Sequence, residues 1–269
     1  MFPLQTDSLP PNADALREAI ESSLLRVVQP AAGEMVSVED RNYPELSAIR
    51  VSLDGASAGH RAPPRFTVPN ETSEPALRVE QFEISGDPVR VREAAIKLNC
   101  HARDVEIGQG RDSDGKVVLL LRNAAEGEVE IGVALADLEA LVLAGARAAA
   151  AQHGVSVETV QIELHARSAH ALDLAVHVRA KKLFLSAALR ISGSAEIDGR
   201  LMARLSGLEC SGEGALGSLA CGFIAPHLER FNEREFPLMA LPLGEVKLRD
   251  VQVATGRDLR VTARFGGAA

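Results

Sequence analysis

Between Val160 and Leu205 the chain alternates apolar and polar residues in run after run, and no other feature constrains its fold so strongly. Val160, Ile162 and Leu164 share one side, against Glu163 and His165. Leu172, Leu174, Val176 and Val178 share a side, against Asp173, His177 and Arg179. Leu183, Leu185, Leu189 and Ile191 follow, with Phe184 on the reverse. Ile197, Leu201 and Leu205 stand against Arg200 and Arg204. A period of two belongs to half-buried strands. These runs exceed the usual strand of about five or six residues. A long sheet with one apolar side has to twist and coil, and its concave side has to be filled.

Two segments supply helices to fill it. Leu135–His153 reads as a long helix stopped by Gly154, with Leu135, Leu138, Leu141 and Val142 as its apolar face and an Ala-rich remainder. Gly214–Phe231 reads as a second helix with Leu216, Leu219, Phe223 and Leu228 on one face. Gly217, Gly222 and Pro226 make it poor by propensity, so a kink or break is expected.

Upstream, Leu77–Ile84 and Val89–Leu98 read as strands separated by a Gly86-Asp87-Pro88 turn. Val105–Ile107, Val117–Leu121 and Glu128–Val133 follow, with Asp114-Gly115 as a hairpin signal. The polar, Pro-containing start is expected to fray. A first helix carries Leu16, Ile20, Leu24 and Val27, capped by Asn12 or Asp14 and ended by Pro30 and Gly33. Ala48–Leu53 is a strand, and Gly55–Pro75 a long loop. Two last strands, Val246–Val253 and Leu259–Phe265, form a hairpin. The expected organisation is 1–75 (helix, strand and Pro-rich loop) followed by 76–269 (sheet and helices), in one continuous domain. Two similar passes of strands then helix are visible, without a repeat of fixed period.

The interior must be aliphatic, because aromatics are only 3% of 269 residues, with no Trp and one Tyr. Such a core suits acyl chains and lacks the stacking platforms that single-stranded nucleic acids need. A net charge of −8 opposes both a general nucleic-acid binder and simple adhesion to anionic membranes. Cys100, Cys210 and Cys221 fit no zinc spacing and read as small buried hydrophobes in a reducing compartment. Met1–Pro11 shows no export signal. Val133–Ala151 is the nearest approach to a membrane span, and Asp137, Glu139 and Arg147 interrupt it. The expectation is a cytoplasmic protein.

No motif for catalysis survives its structural requirements. Gly55-Ala56-Ser57-Ala58-Gly59 matches a nucleophile elbow, but Arg61, Pro63 and Pro64 forbid the helix that must follow. Asp112–Gly115 lacks the spaced ligands and closing Glu of a calcium loop. Gly212–Gly217 matches a dinucleotide fingerprint, but outside any βαβ unit. His165 and His177 lie on polar strand faces with no metal spacing. Arg179, Lys181, Lys182 and Arg190 form a basic cluster at a hairpin tip, where a phosphate headgroup could dock. The chain is therefore read as neither enzyme nor metalloprotein, and as using no cofactor.

The C-terminal order is the strand Ile197–Leu208, the helix Gly212–Phe231, the loop Phe236-Pro237-Leu238-Met239-Ala240-Leu241-Pro242-Leu243-Gly244, and the strand Leu248-Arg249-Asp250-Val251. This order resembles the bacterial LmeA-like phospholipid-binding proteins, and Leu77–Ala134 resembles their earlier run of short strands. The resemblance covers about Leu77–Phe265. Known members are typically exported, which this start does not announce, and the N-terminal helix and Pro-rich loop are not matched. The resemblance implies a TULIP-like fold, in which a long, coiled antiparallel β-sheet wraps around a central α-helix and an acyl chain lies in the seam.

The fold expected is thus α+β, with a sheet coiled around the helix at Leu135–His153. The function expected is non-enzymatic binding of phospholipid or another acyl-chain ligand in an aliphatic groove. Leu138, Leu141, Val142, Leu183, Leu185, Leu189, Leu219 and Phe223 would line it, with peripheral membrane contact. The alternative is a structural or interaction protein with a closed core, binding another protein through a sheet edge or the Pro-rich loop.

Overall fold

The computed structural model describes residues 2–31, 33–58, 74–151, 154–182, 185–240 and 246–267, and it is α+β with strand predominating. The chain divides into two units. One comprises Met1–Ile131, Leu241–Asp250 and Thr262–Ala269; the other comprises Gly132–Ala240 and Val251–Val261. Residues 1–75 fall in the first unit together with 76–131.

The first unit's elements begin with β1 (Phe2–Pro3), α1 (Ala13–Leu24), β2 (Val28–Gln29), β3 (Val36–Asn42), β4 (Glu45–Ser52) and β5 (Ser57–Ala58). They continue with β6 (Glu74–Val91), β7 (Ala94–Arg111), β8 (Val117–Asn123) and β9 (Glu126–Ala134). With β15 (Leu248–Thr255) and β16 (Asp258–Phe265) they build a sheet of order β15-β16-β9-β7-β6-β4-β3, to which β8, β1, β5 and β2 attach. The β4–β6 and β5–β6 pairs are parallel.

The polar start is not frayed. Leu4 is wholly buried, β1 pairs with β8, and the backbone of Val117 bonds to Leu4 and Thr6. Asp7 reaches Lys116 at 2.7 Å, which holds its carboxyl below the usual carboxylate range. The choice of cap falls to Asn12, whose Oδ1 accepts the Ala15 N–H at 2.9 Å. α1 buries Leu16 and Ile20 and stops at Leu24, before Val27.

The Gly86-Asp87-Pro88 signal marks a bulge, not a turn. β6 runs through it for 18 residues, with a register shift between Gly86 and Val89. Proline is tolerated in strands at bulges. The Asp87 N–H leaves the ladder and donates to Asp54 Oδ1 at 2.8 Å. A Cβ on Gly86 would strike Val89. The true turn is Arg92-Glu93, with Arg92 at φ 55°. The Asp112–Gly115 turn is as expected: Asp112 Oδ1 accepts the N–H groups of Asp114 and Lys116, and Gly115 takes φ 77°.

In the second unit, α2 (Leu135–Ala151) precedes β10 (Ser156–Ser168), β11 (Ala171–Lys182), β12 (Leu185–Ile197) and β13 (Met202–Gly212). Then come α3 (Gly214–Glu229), β14 (Glu235–Pro237) and a 3-10 turn at Leu238–Ala240. The sheet order is β10-β11-β12-β13-β14, antiparallel throughout. The sequence-predicted alternation reappears in its register.

α3 is continuous through Pro226, so the helix is not broken there. Its composition opposes it: two interior glycines and a proline cost roughly 5 kcal/mol relative to alanine. Glu213 at the N-cap makes no side-chain capping bond. Tertiary attachments must therefore supply the order. One is a disulfide between Cys210 and Cys221, which corrects the reading of these cysteines as unpaired hydrophobes. Cys100 is buried and free.

Candidate apolar site on the second unit

Strand register gathers one apolar face from the four long strands. Val160 stands opposite Val178, Ile162 opposite Val176, and Leu164 opposite Leu174. On the next strand, Leu189 faces Val178 and Ile191 faces Val176. β13 adds Leu205, opposite Ala195, and Cys210, opposite Ile191. A shift between Ser192 and Ser194 keeps the pattern in phase, with Gly207 at φ 59° in the bulge. Gly193 carries no side chain, and Leu208 occupies that space: a Cβ there would come within 2.6 Å of Leu208 Cδ2.

Both helices lie on this face. Leu138, Leu143, Ala146 and Ala150 of α2 pack on a cluster of Val157, Val160, Ile162 and Ala180. α3 packs on β12 and β13, with Gly217 against the backbone of Gly212 and Cys221 bonded to Cys210. Between the two attachments lie Leu174 and Ile191 on the middle strands, both only half-buried.

The expected lining residues divide. Leu138 and Leu189 are on the packed face, and Leu189 is buried. Leu141 and Val142 lie on α2 outside the packed cluster, and Val142 is 37% exposed. The expected helix face was rotated: at about 100° per residue the true stripe runs through Leu143, Ala146 and Ala150. The small residues that define it gave little hydrophobic signal in the sequence. Leu219 and Phe223 of α3 are 58% and 72% exposed. Leu183 lies outside the described residues, and Leu185 begins β12 opposite Lys182.

The helices are unusual in their surroundings. α2 buries no residue completely. α3 carries no Asp, Glu, Lys or Arg from Gly214 to Leu228, yet Leu219 and Phe223 are exposed. A helix apolar all round normally sits in a core or in lipid.

The outer edge of β10 is closed by side chains. Arg147 donates to the carbonyls of Val157 (2.9 Å) and Glu158 (3.2 Å). Glu139 accepts the Ile162 N–H (2.8 Å), and Thr255 accepts the Ala166 N–H (3.0 Å). An edge so occupied is a poor template for another strand.

The reverse of the sheet is polar and ion-paired. Lys181 meets Glu158 at 2.8 Å, Arg167 meets Asp173 at 3.1 Å, and His177 lies 3.6 Å from Glu163. Arg179 and Arg190 share that face with His177. Arg179, Lys181 and Arg190 of the basic cluster thus lie opposite the apolar face. Lys182 ends β11. Arg204 is paired with Glu235 at 2.7 Å, which raises its already high pKa.

Other sequence motifs meet different surroundings. Ser57 pairs with Gln29 and Arg90 in β5, not at the head of a helix, and His60 lies outside the described residues. Gly212–Gly217 is the close crossing of β13 and α3, in an antiparallel sheet. Among the described residues, no three His, Cys, Asp or Glu converge as a metal site, and no helix is long and apolar enough to cross a membrane. Two depressions of about 390 and 430 Å³ on the first unit are lined in part by Arg41, Glu45, Arg78 and Glu106, a charged surface unlike an acyl site.

A scan against protein-family models and searches of curated proteins and solved structures found no match.

Proposed function

We propose that this chain binds phospholipid or another acyl-chain ligand, without catalysis, on the apolar face of the second unit between α2 and α3. One observation carries the reading: two largely apolar helices flank an apolar sheet strip, yet leave Val142, Leu219 and Phe223 exposed and Leu174 and Ile191 half-buried. Exposed apolar area of this kind marks an interaction or ligand surface. Each methylene buried there contributes about 0.8 kcal/mol. The finer TULIP-like arrangement, with the sheet wrapped around α2 as central helix, belongs to this proposal, as does peripheral contact with a membrane.

For the closed-core alternative, Arg147, Glu139 and Thr255 occupy groups on the β10 edge, which disfavours strand addition at that edge. For the compartment, the Cys210–Cys221 bond weighs against a cytoplasmic setting, since such bonds persist where conditions are oxidising.

Native mass spectrometry of the purified protein, followed by organic extraction, tests the function. A species of lipid mass released on denaturation supports it. An empty protein that also takes up no added fatty acid or phospholipid overturns it. The double variant Leu219→Ser with Phe223→Ser, at exposed positions, should keep the fold and weaken uptake about tenfold.

A further inference from the structure

We infer that the Cys210–Cys221 disulfide is a redox latch: it holds α3 down on β12 and β13, and a dithiol reductant releases the helix. What this release does to a bound acyl chain rests on the function proposed above. The latch itself rests on how α3 is attached.

Three features set α3 apart from an ordinary packed helix. Its sequence does not favour the helical state, with Gly217, Gly222 and Pro226 inside it and no capping side chain at Glu213. Its close approach to the sheet is backbone on backbone, Gly217 over Gly212, which leaves few interlocked side chains there. Its polar anchors sit at its two ends. The Glu213 N–H donates to the Ala188 carbonyl before the helix, while Asn232 accepts from Leu208 and the Glu233 N–H donates to Leu205 after it. Between those ends, the covalent bolt at Cys221 fixes the middle.

The sheet does not need α3. β13 keeps its ladder to β12 along Leu189–Ile197 and its pairing to β14 when the helix lifts, so release breaks no sheet hydrogen bond. Lifting α3 frees the β12 and β13 surface on which it packs, on the two strands that carry Leu189, Leu205 and Leu208.

The chemistry balances with an external dithiol. One thiolate attacks the sulfur of Cys210, the less buried partner, and Cys221 leaves as thiolate. The second thiol of the reductant then displaces Cys210. Two electrons have passed: both cysteines end as thiols and the reductant ends as a disulfide. Cys100 is buried in the first unit and takes no part.

The test uses the whole chain. Alkylation without reductant, read by peptide mass spectrometry, should show Cys210 linked to Cys221; two alkylated thiols there overturn the latch. Amide exchange is then compared before and after dithiothreitol. Exchange across Gly214–Glu229 should rise about tenfold or more while β10 and β11 stay protected. The Cys210→Ser, Cys221→Ser double variant should match the reduced protein without reductant. Should that variant lose protection in β10 and β11, the reduced wild type decides. Equal protection of α3 in both redox states overturns the latch. A fluorescent fatty acid is followed in parallel, and its dissociation should quicken about tenfold on reduction. A probe that binds neither state, with α3 exchange raised, overturns the acyl-ligand reading and supports the latch alone.

Discussion

Cys100 shows how burial decides a residue's chemistry. Removal from water pushes its thiol pKa up to about 11, from an ordinary 9.0. The thiol should therefore resist iodoacetamide at pH 8 in the native protein and react only after unfolding, as read by mass spectrometry. Its effect on stability has a definite sign. The unfolded chain loses this proton near 9.0 while the folded chain keeps it to about 11, so stability falls as pH rises through that window. Denaturant midpoints across the window should show the fall, and Cys100→Ala should remove the thiol's share of it. The two bonded cysteines teach the opposite lesson. Three cysteines in a row of residues are equivalent until a strand and a helix bring Cys210 and Cys221 together.

At the scale of elements, α3 and α2 are decided by their neighbours. Gly222 has open space where a Cβ would go and an ordinary φ, so Gly222→Ala should stabilise by up to about 1 kcal/mol. Gly212 faces the Gly217 backbone at the crossing, so Gly212→Ala should destabilise by about 1–3 kcal/mol. Thermal melts of the two variants should move in opposite directions. The β10 edge offers a third case. Glu139→Ala with Arg147→Ala would strip the side chains from its N–H and C=O groups, and concentration-dependent association should appear in light scattering. The strands and helices of the second unit were legible, because a period of two and a period of 3.6 are local properties. The 18-residue β6 was not legible: Gly-Asp-Pro is a turn signal unless, as here, Asp54 takes the displaced N–H. The rotation of α2 was also hidden, since Ala146 and Ala150 become a packing face only when a sheet lies beneath them.

For the molecule as a whole, charge and apolar exposure point the same way. With a net charge of −8 and an α3 that carries no Asp, Glu, Lys or Arg from Gly214 to Leu228, the proposed ligand contact is hydrophobic rather than electrostatic. Uptake of a neutral phospholipid should then change little over about a tenfold range of salt, measured by the same mass spectrometry; steep weakening would point to headgroup charge instead. The sequence by itself determined an α+β chain with an aliphatic core, the long one-sided strands, and the two helices beside them, because backbone periodicity and composition need no distant partner. Only the tertiary structure decided which cysteines join, which side of α2 meets the sheet, that the β10 edge is closed, and that Leu219 and Phe223 stay in the open. Those outcomes depend on what strand register and helix docking bring together across the chain, and no local pattern encodes them.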